Sequence, residues 1–113
     1  MKMLVIPTIA AAALLAGAAP RLAAADAKDN WTKNCASCHG PDGAGHTKAG
    51  RMAQVKDMTD AKYQGAFTDE QAVKQIKEGF KDSTGKERMK AFADKFTDDE
   101  VKGLVAYVRS LKH

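Results

Sequence analysis

Cysteine is scarce in this chain, with two among 113 residues. Two cysteines form at most one disulfide, which excludes the disulfide-rich frameworks of small secreted domains. Strand signals are also nearly absent, because alternation of apolar and polar residues is not sustained and runs of β-branched residues are few. The sequence has no internal repeat, no low-complexity tract and no basic run with interleaved aromatic residues, so nucleic-acid binding is not indicated. These absences predict one small all-α domain.

The N-terminal segment has the features of a secretory signal peptide. Lys2 supplies a positive start, and residues 4–19 are dominated by Ala, Leu, Val and Ile over a length that is short for a membrane span. The residues Ala23–Ala25 fit the small-x-small rule for cleavage before Asp26. Cleavage before Lys28 fits the same rule equally well.

Export of the protein follows from this interpretation. We predict a signal peptide over residues 1–25, one domain over residues 26–113, a periplasmic location and no stable membrane insertion after cleavage. An uncleaved membrane anchor is the alternative, which Pro7 and Pro20 disfavour. Cleavage removes two cationic residues and no acidic one, so the net charge falls from +4 to +2. The exported chain is therefore only weakly basic.

The two cysteines lie in the segment Cys35-Ala36-Ser37-Cys38-His39. Two thiols at this spacing, with a histidine directly after the second, form the attachment motif of c-type haem. Each thiol can add to one vinyl group of the same porphyrin, and His39 is then held beneath the iron as an axial ligand. The motif occurs once, which predicts one covalently attached haem c.

Three other uses of the cysteine pair have to be weighed. A thioredoxin-like redox pair belongs at the start of a helix in a βαβ unit, which this sequence does not indicate. A structural zinc site needs two further ligands, which His39, His46 and His113 supply only in an irregular spacing. A structural disulfide suits an exported protein but does not require the adjacent histidine.

Two helices are predicted from their capping boxes. Thr68 with Gln71, and Thr97 with Glu100, have the spacing of an N-cap residue and its reciprocal partner. An apolar stripe follows each box at helical spacing. The stripe of the first comprises Ala72, Val73, Ile76 and Phe80, and that of the last comprises Val101, Leu104, Val105, Val108 and Leu111.

Two further helices complete an expected set of about four. One runs from about Ala27 into the cysteine motif, since Ala27, Trp31 and Cys35 lie four residues apart on one face. A shorter one is expected from Thr59 to about Gln64. The connections over residues 39–58 and 81–95 are predicted to be long and irregular, with a cofactor as the surface on which they pack.

The iron needs a second axial ligand unless its distal face is open. A methionine thioether is a soft, neutral donor that favours ferrous iron and raises the reduction potential. Met89 is the predicted ligand, because it lies in the long segment between the two capped helices, where the chain can fold over the distal face. Met52 and Met58 flank Val55 and are interpreted as apolar wall residues.

Taken together, these segments resemble a class I c-type cytochrome of the small bacterial type. The resemblance covers residues 26–113 and is carried by the haem motif with Trp31 before it, by Met89 with Phe92, and by the terminal helix around Tyr107. It implies a cytochrome c fold of about four short helices whose long loops wrap one haem. It also implies site roles for four residues: Cys35 and Cys38 as thioether attachments, His39 as the proximal ligand and Met89 as the distal ligand.

The resemblance further implies that the first and last helices cross, with Ala27 and Trp31 facing Leu104 and Tyr107. One departure concerns the distal ligand. Relatives often have proline after the ligand methionine, whereas Met89 is followed by Lys90, and proline would restrict the backbone there.

The expected function is that of a soluble periplasmic electron carrier that is not an enzyme. It would be a monomer that docks transiently with redox partner proteins, since fast release requires a small interface. A haem subunit of a larger oxidoreductase complex and a gas-binding protein with an open iron site are the alternatives. Lysines in the connecting segments either steer an acidic partner or only add solubility: Lys48, Lys56, Lys86, Lys90 and Lys95.

Overall fold

The computed structural model describes residues 19–113, with side chains described from Asp26 onward. The predicted signal peptide, residues 1–25, lies outside the side chains so described, and its cleavage stays a prediction. Within residues 19–113, no helix is both long enough and apolar enough to cross a membrane.

Helices dominate the described part of the chain, in agreement with the predicted all-α class. Six helices and one small antiparallel hairpin occur in it. The helices are α1 (Ala19–Asn34), α2 (Ala36–His39), α3 (Lys48–Ala53), α4 (Ala61–Gln64), α5 (Asp69–Glu78) and α6 (Asp98–Ser110), and the hairpin strands are β1 (Phe80–Lys81) and β2 (Glu87–Met89).

Both predicted capping boxes are present. The Thr68 hydroxyl accepts from the backbone N–H of Gln71 at 3.1 Å, and the Gln71 side chain accepts from the backbone of Thr68 at 2.8 Å. Thr97 and Glu100 make the same reciprocal pair at the start of α6. These bonds satisfy backbone N–H groups that have no partner inside the helix, and so they determine where α5 and α6 begin.

The hydrophobic core lies where α1 packs against α6, as the family resemblance implied. Val101 and Leu104 of α6 are fully buried, and Ala27 and Trp31 of α1 are buried with them. The rings of Trp31 and Tyr107 lie 5.5 Å apart at a tilt of 48°. This packing fixes the end of α1, from which the cysteine motif continues.

A second set of contacts attaches α4 to α6. The buried Gln64 amide donates to the carbonyls of Met58 and Val108 at 2.6 and 2.7 Å. Arg109 donates to the Gln64 side chain at 3.0 Å and lies over the ring of Phe67. Gln64 and Arg109 therefore hold the chain that carries Met58 against the terminal helix.

Two elements differ from the sequence-based expectation. The segment 39–58 contains α3, whose N-cap Thr47 accepts from the N–H of Gly50 at 2.8 Å. In addition, α1 begins at Ala19 and not near Ala27. Its alanine-rich start has high helix propensity, and Pro20 lies in the first turn, where proline is tolerated.

The segment 81–95 is not wholly irregular either, because it contains part of the hairpin. Phe80 pairs with Met89, and Lys81 pairs with Glu87 across a register shift. Phe80 was expected on the apolar face of α5, but α5 ends at Glu78 and Phe80 lies in β1, where it is 47% exposed. Gly79 ends the helix with φ of +75°, a conformation that favours glycine.

Candidate functional site

A cavity of about 490 Å³ opens between α2, the chain after α3 and the hairpin. All four predicted site residues line it: Cys35, Cys38, His39 and Met89. A smaller cavity of about 90 Å³ adjoins it toward α5 and α6 and shares part of its wall. The shared residues are Cys35, His39, Met58, Tyr63, Gln75 and Met89.

The cysteine motif forms one helical turn directly after α1. The N–H of Cys35 donates to the Trp31 carbonyl at 2.8 Å, and the N–H of His39 donates to the Cys35 carbonyl at 2.9 Å. The indole N–H of Trp31 donates to the Gly40 carbonyl at 3.0 Å. Local helical hydrogen bonds thus place both thiols and the imidazole on the same side of the cavity.

The chain after the motif folds back onto it. The Thr47 hydroxyl donates to the Cys38 carbonyl at 2.6 Å, and the N–H of Gly45 donates to the His39 carbonyl at 2.7 Å. Gly50 lies so close to the motif that a Cβ atom at this position would be 2.2 Å from the Cys38 carbonyl oxygen. Close packing by α3 therefore holds the motif from behind.

Burial keeps the Cys35 thiol protonated at neutral pH. It raises the pKa of Cys35 to about 11, with a further contribution from Cys38 and an opposing one from Lys90. Disulfide-exchange cysteines depend on a lowered thiol pKa, so this environment differs from that of a redox pair. Both thiols are free.

The described structure does not support a zinc site at the cysteine pair. Within residues 19–113, no three side chains of His, Cys, Asp or Glu come together as metal ligands. His46 and His113 are exposed and do not line the cavity that contains His39.

His39 has the properties of a neutral nitrogen ligand. Burial lowers the pKa of its imidazole, so the ring is uncharged near neutral pH. Its Nδ1 atom is buried and has no hydrogen-bond partner among the residues described. An unpaired polar atom in a protein interior is costly, and a site of this kind fits a bound group that interacts with the ring.

Met89 lies across the cavity on β2, where its side chain is half-buried. The Gln75 amide nitrogen lies 3.9 Å from its sulfur and is oriented as a donor. Met58 is a wall residue of both cavities, as expected. The same expectation for Met52 was wrong, because Met52 is 70% exposed and is not among the residues that line either cavity.

Cationic side chains outnumber acidic ones in the cavity lining. Lys56, Arg88 and Lys90 contribute to it, against one carboxylate, that of Glu87. Haem carries two carboxylates, so the charge of this lining suits it. The apolar part of the wall includes the buried Phe92.

Sequence reasoning missed several residues of the wall, of which Tyr63, Gln75 and Arg88 are polar. Burial raises the pKa of the Tyr63 hydroxyl. Gln75 lies on α5 three residues after Ala72, so helical spacing places it beside the apolar face and was a usable signal. No comparable local signal marked Arg88, whose contacts reach 36 residues along the chain.

Comparisons with known proteins agree with this geometry. The sequence profile of the family described as Cytochrome c matches residues 24–112. The solved structure of the c-type cytochrome KustC0563 is 35% identical and superposes with a TM-score of 0.70, over 78% of this chain and 99% of that one. A mutant of Kustc0563 is 36% identical with a TM-score of 0.67, over 77% and 99% of the two chains. Comparison with curated protein sequences gives no match.

The family match spans most of the chain, and the similar structures are covered almost completely. The Cys35–His39 segment has the attachment spacing of the family's covalently bound haem c, and it lies in a cavity with a neutral imidazole. The chain therefore belongs to the cytochrome c family and is a small c-type cytochrome with haem c as its cofactor.

Proposed function

We propose that this protein is a soluble periplasmic electron carrier that holds one haem c through Cys35, Cys38, His39 and Met89. The observation that carries the proposal is the convergence of these four side chains on one cavity, from two elements 50 residues apart in the chain. The haem iron supplies the chemistry, cycling between its ferrous and ferric forms to store one electron.

Cys35 and Cys38 are proposed as the two thioether attachment points. Both line the cavity from the same helical turn, and both are free thiols. Their backbone is fixed by α1 before them and by Thr47 and Gly50 behind them. This support would limit movement of the attachment points when the iron changes oxidation state.

His39 and Met89 are proposed as the two axial ligands. The imidazole is kept neutral by burial, and a thioether is neutral at any pH, so neither ligand compensates the charge of ferric iron. A buried wall lowers the local dielectric and penalises the more highly charged form. Both effects favour the ferrous state and raise the reduction potential.

Met89 ligation would leave no open position at the iron, which fits a carrier and not an enzyme. Partner proteins would then exchange electrons by transient docking at the cavity mouth. Lys56 and Lys90, against the single carboxylate of Glu87, give this lining a positive character suited to an acidic surface on the partner. Of the other lysines considered from the sequence, Lys48, Lys86 and Lys95 are exposed and lie outside the cavity lining.

The periplasmic location rests on the signal peptide predicted for residues 1–25. Its test is mass spectrometry of protein from the periplasmic fraction of its host. The expected mass is that of a chain starting at Asp26 or Lys28 plus one haem, and a full-length chain retained in the membrane would contradict it. Gel filtration of the native periplasmic extract tests the free monomer against a subunit of a larger complex.

The distal ligand is tested by carbon monoxide binding to the ferrous protein. Wild type is expected to bind slowly and to show the charge-transfer band from methionine sulfur to ferric iron. Met89→Ala should abolish the band and bind carbon monoxide rapidly, whereas Met52→Ala, a substitution outside the cavity, should behave as wild type. Rapid binding by wild type and no change in Met89→Ala would overturn the assignment.

A further inference from the structure

Arg88, which lines the haem cavity, connects the hairpin to α3. Its Nε donates to Asp82 Oδ2 at 2.8 Å, and its Nη1 donates to the backbone carbonyl of Met52 at 3.0 Å. The side chains of Arg88 and Asp82 are only 19% and 21% exposed, so this ion pair is better shielded from solvent than the others described in residues 26–113. We name the three-residue contact of Asp82, Arg88 and the Met52 carbonyl the Arg88 latch.

Asp82 divides its two oxygens between two tasks. Oδ1 accepts from the backbone N–H of Thr84 and Lys86, and from the Thr84 hydroxyl, and so it organises the turn between the hairpin strands. Oδ2 accepts from Arg88. Turn formation and the latch therefore depend on different atoms of one carboxylate.

Through the Met52 carbonyl, the latch contacts α3, the helix that supports the haem attachment motif. Met52 lies in α3, two residues after Gly50, whose close approach to the Cys38 carbonyl packs α3 against the motif. Thr47, the N-cap of α3, also donates to that carbonyl. Arg88 thus connects the strand of Met89 to the segment of His39 through a short chain of direct contacts.

Apart from the latch, the strand of Met89 is held from the α5 side, where the N–H groups of Phe92 and Ala93 donate to the Ile76 and Lys77 carbonyls at 3.0 and 3.2 Å. β1 and β2 comprise two and three residues, with a register shift between the pairs, and such a short hairpin is marginal by itself. Lys90 follows Met89, so no proline restricts the backbone after the ligand. The neighbouring residue in the strand, Arg88, is the one that bonds to α3.

We propose that the Arg88 latch is a positioning device that holds the Met89 sulfur in place as the distal ligand and keeps external ligands from the iron. This inference rests on the proposed function, because it requires Met89 to be that ligand. With the latch broken, the hairpin moves more freely, and Met89 spends more time away from the iron.

The test compares haem-loaded wild type with two single variants, Asp82→Asn and Arg88→Gln. Asparagine keeps an oxygen for the turn contacts of Oδ1 but places an amide NH₂, which cannot accept from Arg88, at the position of Oδ2. Arg51→Gln is the matched control, since Arg51 is an exposed residue of α3 and the substitution removes a guanidinium outside the latch. Arg88→Lys, which keeps the charge but not the forked geometry, serves as a second variant if Arg88→Gln folds poorly.

Both latch variants should bind carbon monoxide faster than wild type by about tenfold, the change expected for losing a charged hydrogen bond that favours the closed site. Their methionine-to-iron charge-transfer band should weaken, and Arg51→Gln should match wild type in both measurements. Wild-type rates in Asp82→Asn and Arg88→Gln would overturn the latch. A change confined to the Arg88 variants would also overturn it, because Arg88 would then act without its bond to Asp82.

The proposed function fails in a different way. If wild type itself lacks the charge-transfer band, and Met89→Ala leaves carbon monoxide binding unchanged, then Met89 is not the ligand. If wild type has the band and loses it in Met89→Ala while the latch variants keep it, the function stands and only the latch is wrong.

Discussion

The indole N–H of Trp31 donates to the carbonyl of Gly40 across nine residues, at 3.0 Å and in a buried setting. This bond joins α1 to the residue that follows the haem motif, so the motif is held at both of its ends by α1. The Trp31 ring also lies 5.5 Å from that of His39. One side chain therefore packs in the α1–α6 core and contacts His39, the proposed proximal ligand.

Trp31→Phe should destabilise the protein while keeping most of the aromatic packing. The substitution removes the N–H donor, while the Gly40 carbonyl still accepts from the N–H of Gly43 at 3.2 Å, so the cost is that of one hydrogen bond, about 0.5–1.5 kcal/mol. Urea unfolding of the haem-loaded protein measures the change in the free energy of unfolding. Tyr107→Phe alters a half-buried ring beside Trp31 by one oxygen and should change stability by less than about 0.5 kcal/mol. Equal effects of the two would argue against the importance of the Trp31 bond.

Gly50→Ala should disturb the haem attachment site from outside it. A Cβ at Gly50 would lie 2.2 Å from the Cys38 carbonyl oxygen and 2.8 Å from that of Gly45, and both are backbone atoms that cannot move aside locally. Overpacking of this kind costs about 1–3 kcal/mol or more, and we expect a lower yield of covalent haem. The yield is read from the ratio of haem absorbance to protein mass.

Gly65→Ala is the matched control for that substitution. Gly65 has φ of −76°, and a Cβ there would make ordinary contacts at 3.6 Å. Stability should stay within about 0.5 kcal/mol of wild type, with full haem incorporation. A normal haem yield in Gly50→Ala would show that α3 adapts to the added methyl group.

Features that depend on residues close together in the sequence could be predicted from it. The haem motif is five residues long, and each capping box spans four, so their chemistry is complete within one turn of chain. The packing of Trp31 against α6 followed from the resemblance to the cytochrome c family, which implied that the first and last helices cross. Met89 was placed at the cavity through its position between two capped helices, without knowledge of the strand in which it lies.

The features that were missed depend on contacts between distant residues. Gly50 disfavours a helix by its intrinsic propensity, and α3 forms around it because only glycine fits against the Cys38 carbonyl. Strands of two and three residues are too short to show alternation, so β1 and β2 left no periodic signal. The bond from Arg88 to Met52 has no sequence signature at all.

Thr97→Ala should weaken the start of α6 by about 1 kcal/mol, the usual cost of removing an N-cap hydroxyl. Thr68→Ala should have a similar effect at the start of α5. Thr32 is the control, because its exposed hydroxyl bonds back to the Lys28 carbonyl within α1 and caps nothing. Thr32→Ala should be neutral or slightly stabilising, since alanine has the higher helix propensity. Urea unfolding measures the free energy of unfolding of the three variants, and a larger loss of stability in Thr32→Ala than in the other two would contradict the capping assignment.

The contribution of Asp82 to stability should be lost at acid pH. The Thr84 hydroxyl, followed by Arg88, holds the pKa of Asp82 well below its usual range in the folded protein. The unfolded chain takes up this proton near the ordinary pKa of about 3.9, before the folded protein does. Ionised Asp82 therefore stabilises the fold above that pH, and the stabilisation falls as the pH drops through the lower folded pKa.

Comparison of wild type with Asp82→Asn isolates this effect, because the other titrating groups are common to both proteins. The difference in free energy of unfolding should be constant from about pH 7 to pH 5 and should shrink below about pH 4. Thr84→Val removes the largest cause of the lowered pKa, so in that background the loss should be smaller and should be complete at a higher pH. Urea titrations over this pH series measure the difference, and carbon NMR of the Asp82 carboxyl group reports its pKa directly. A difference that stays constant under strong acid would mean that the Asp82 carboxylate adds nothing through its charge.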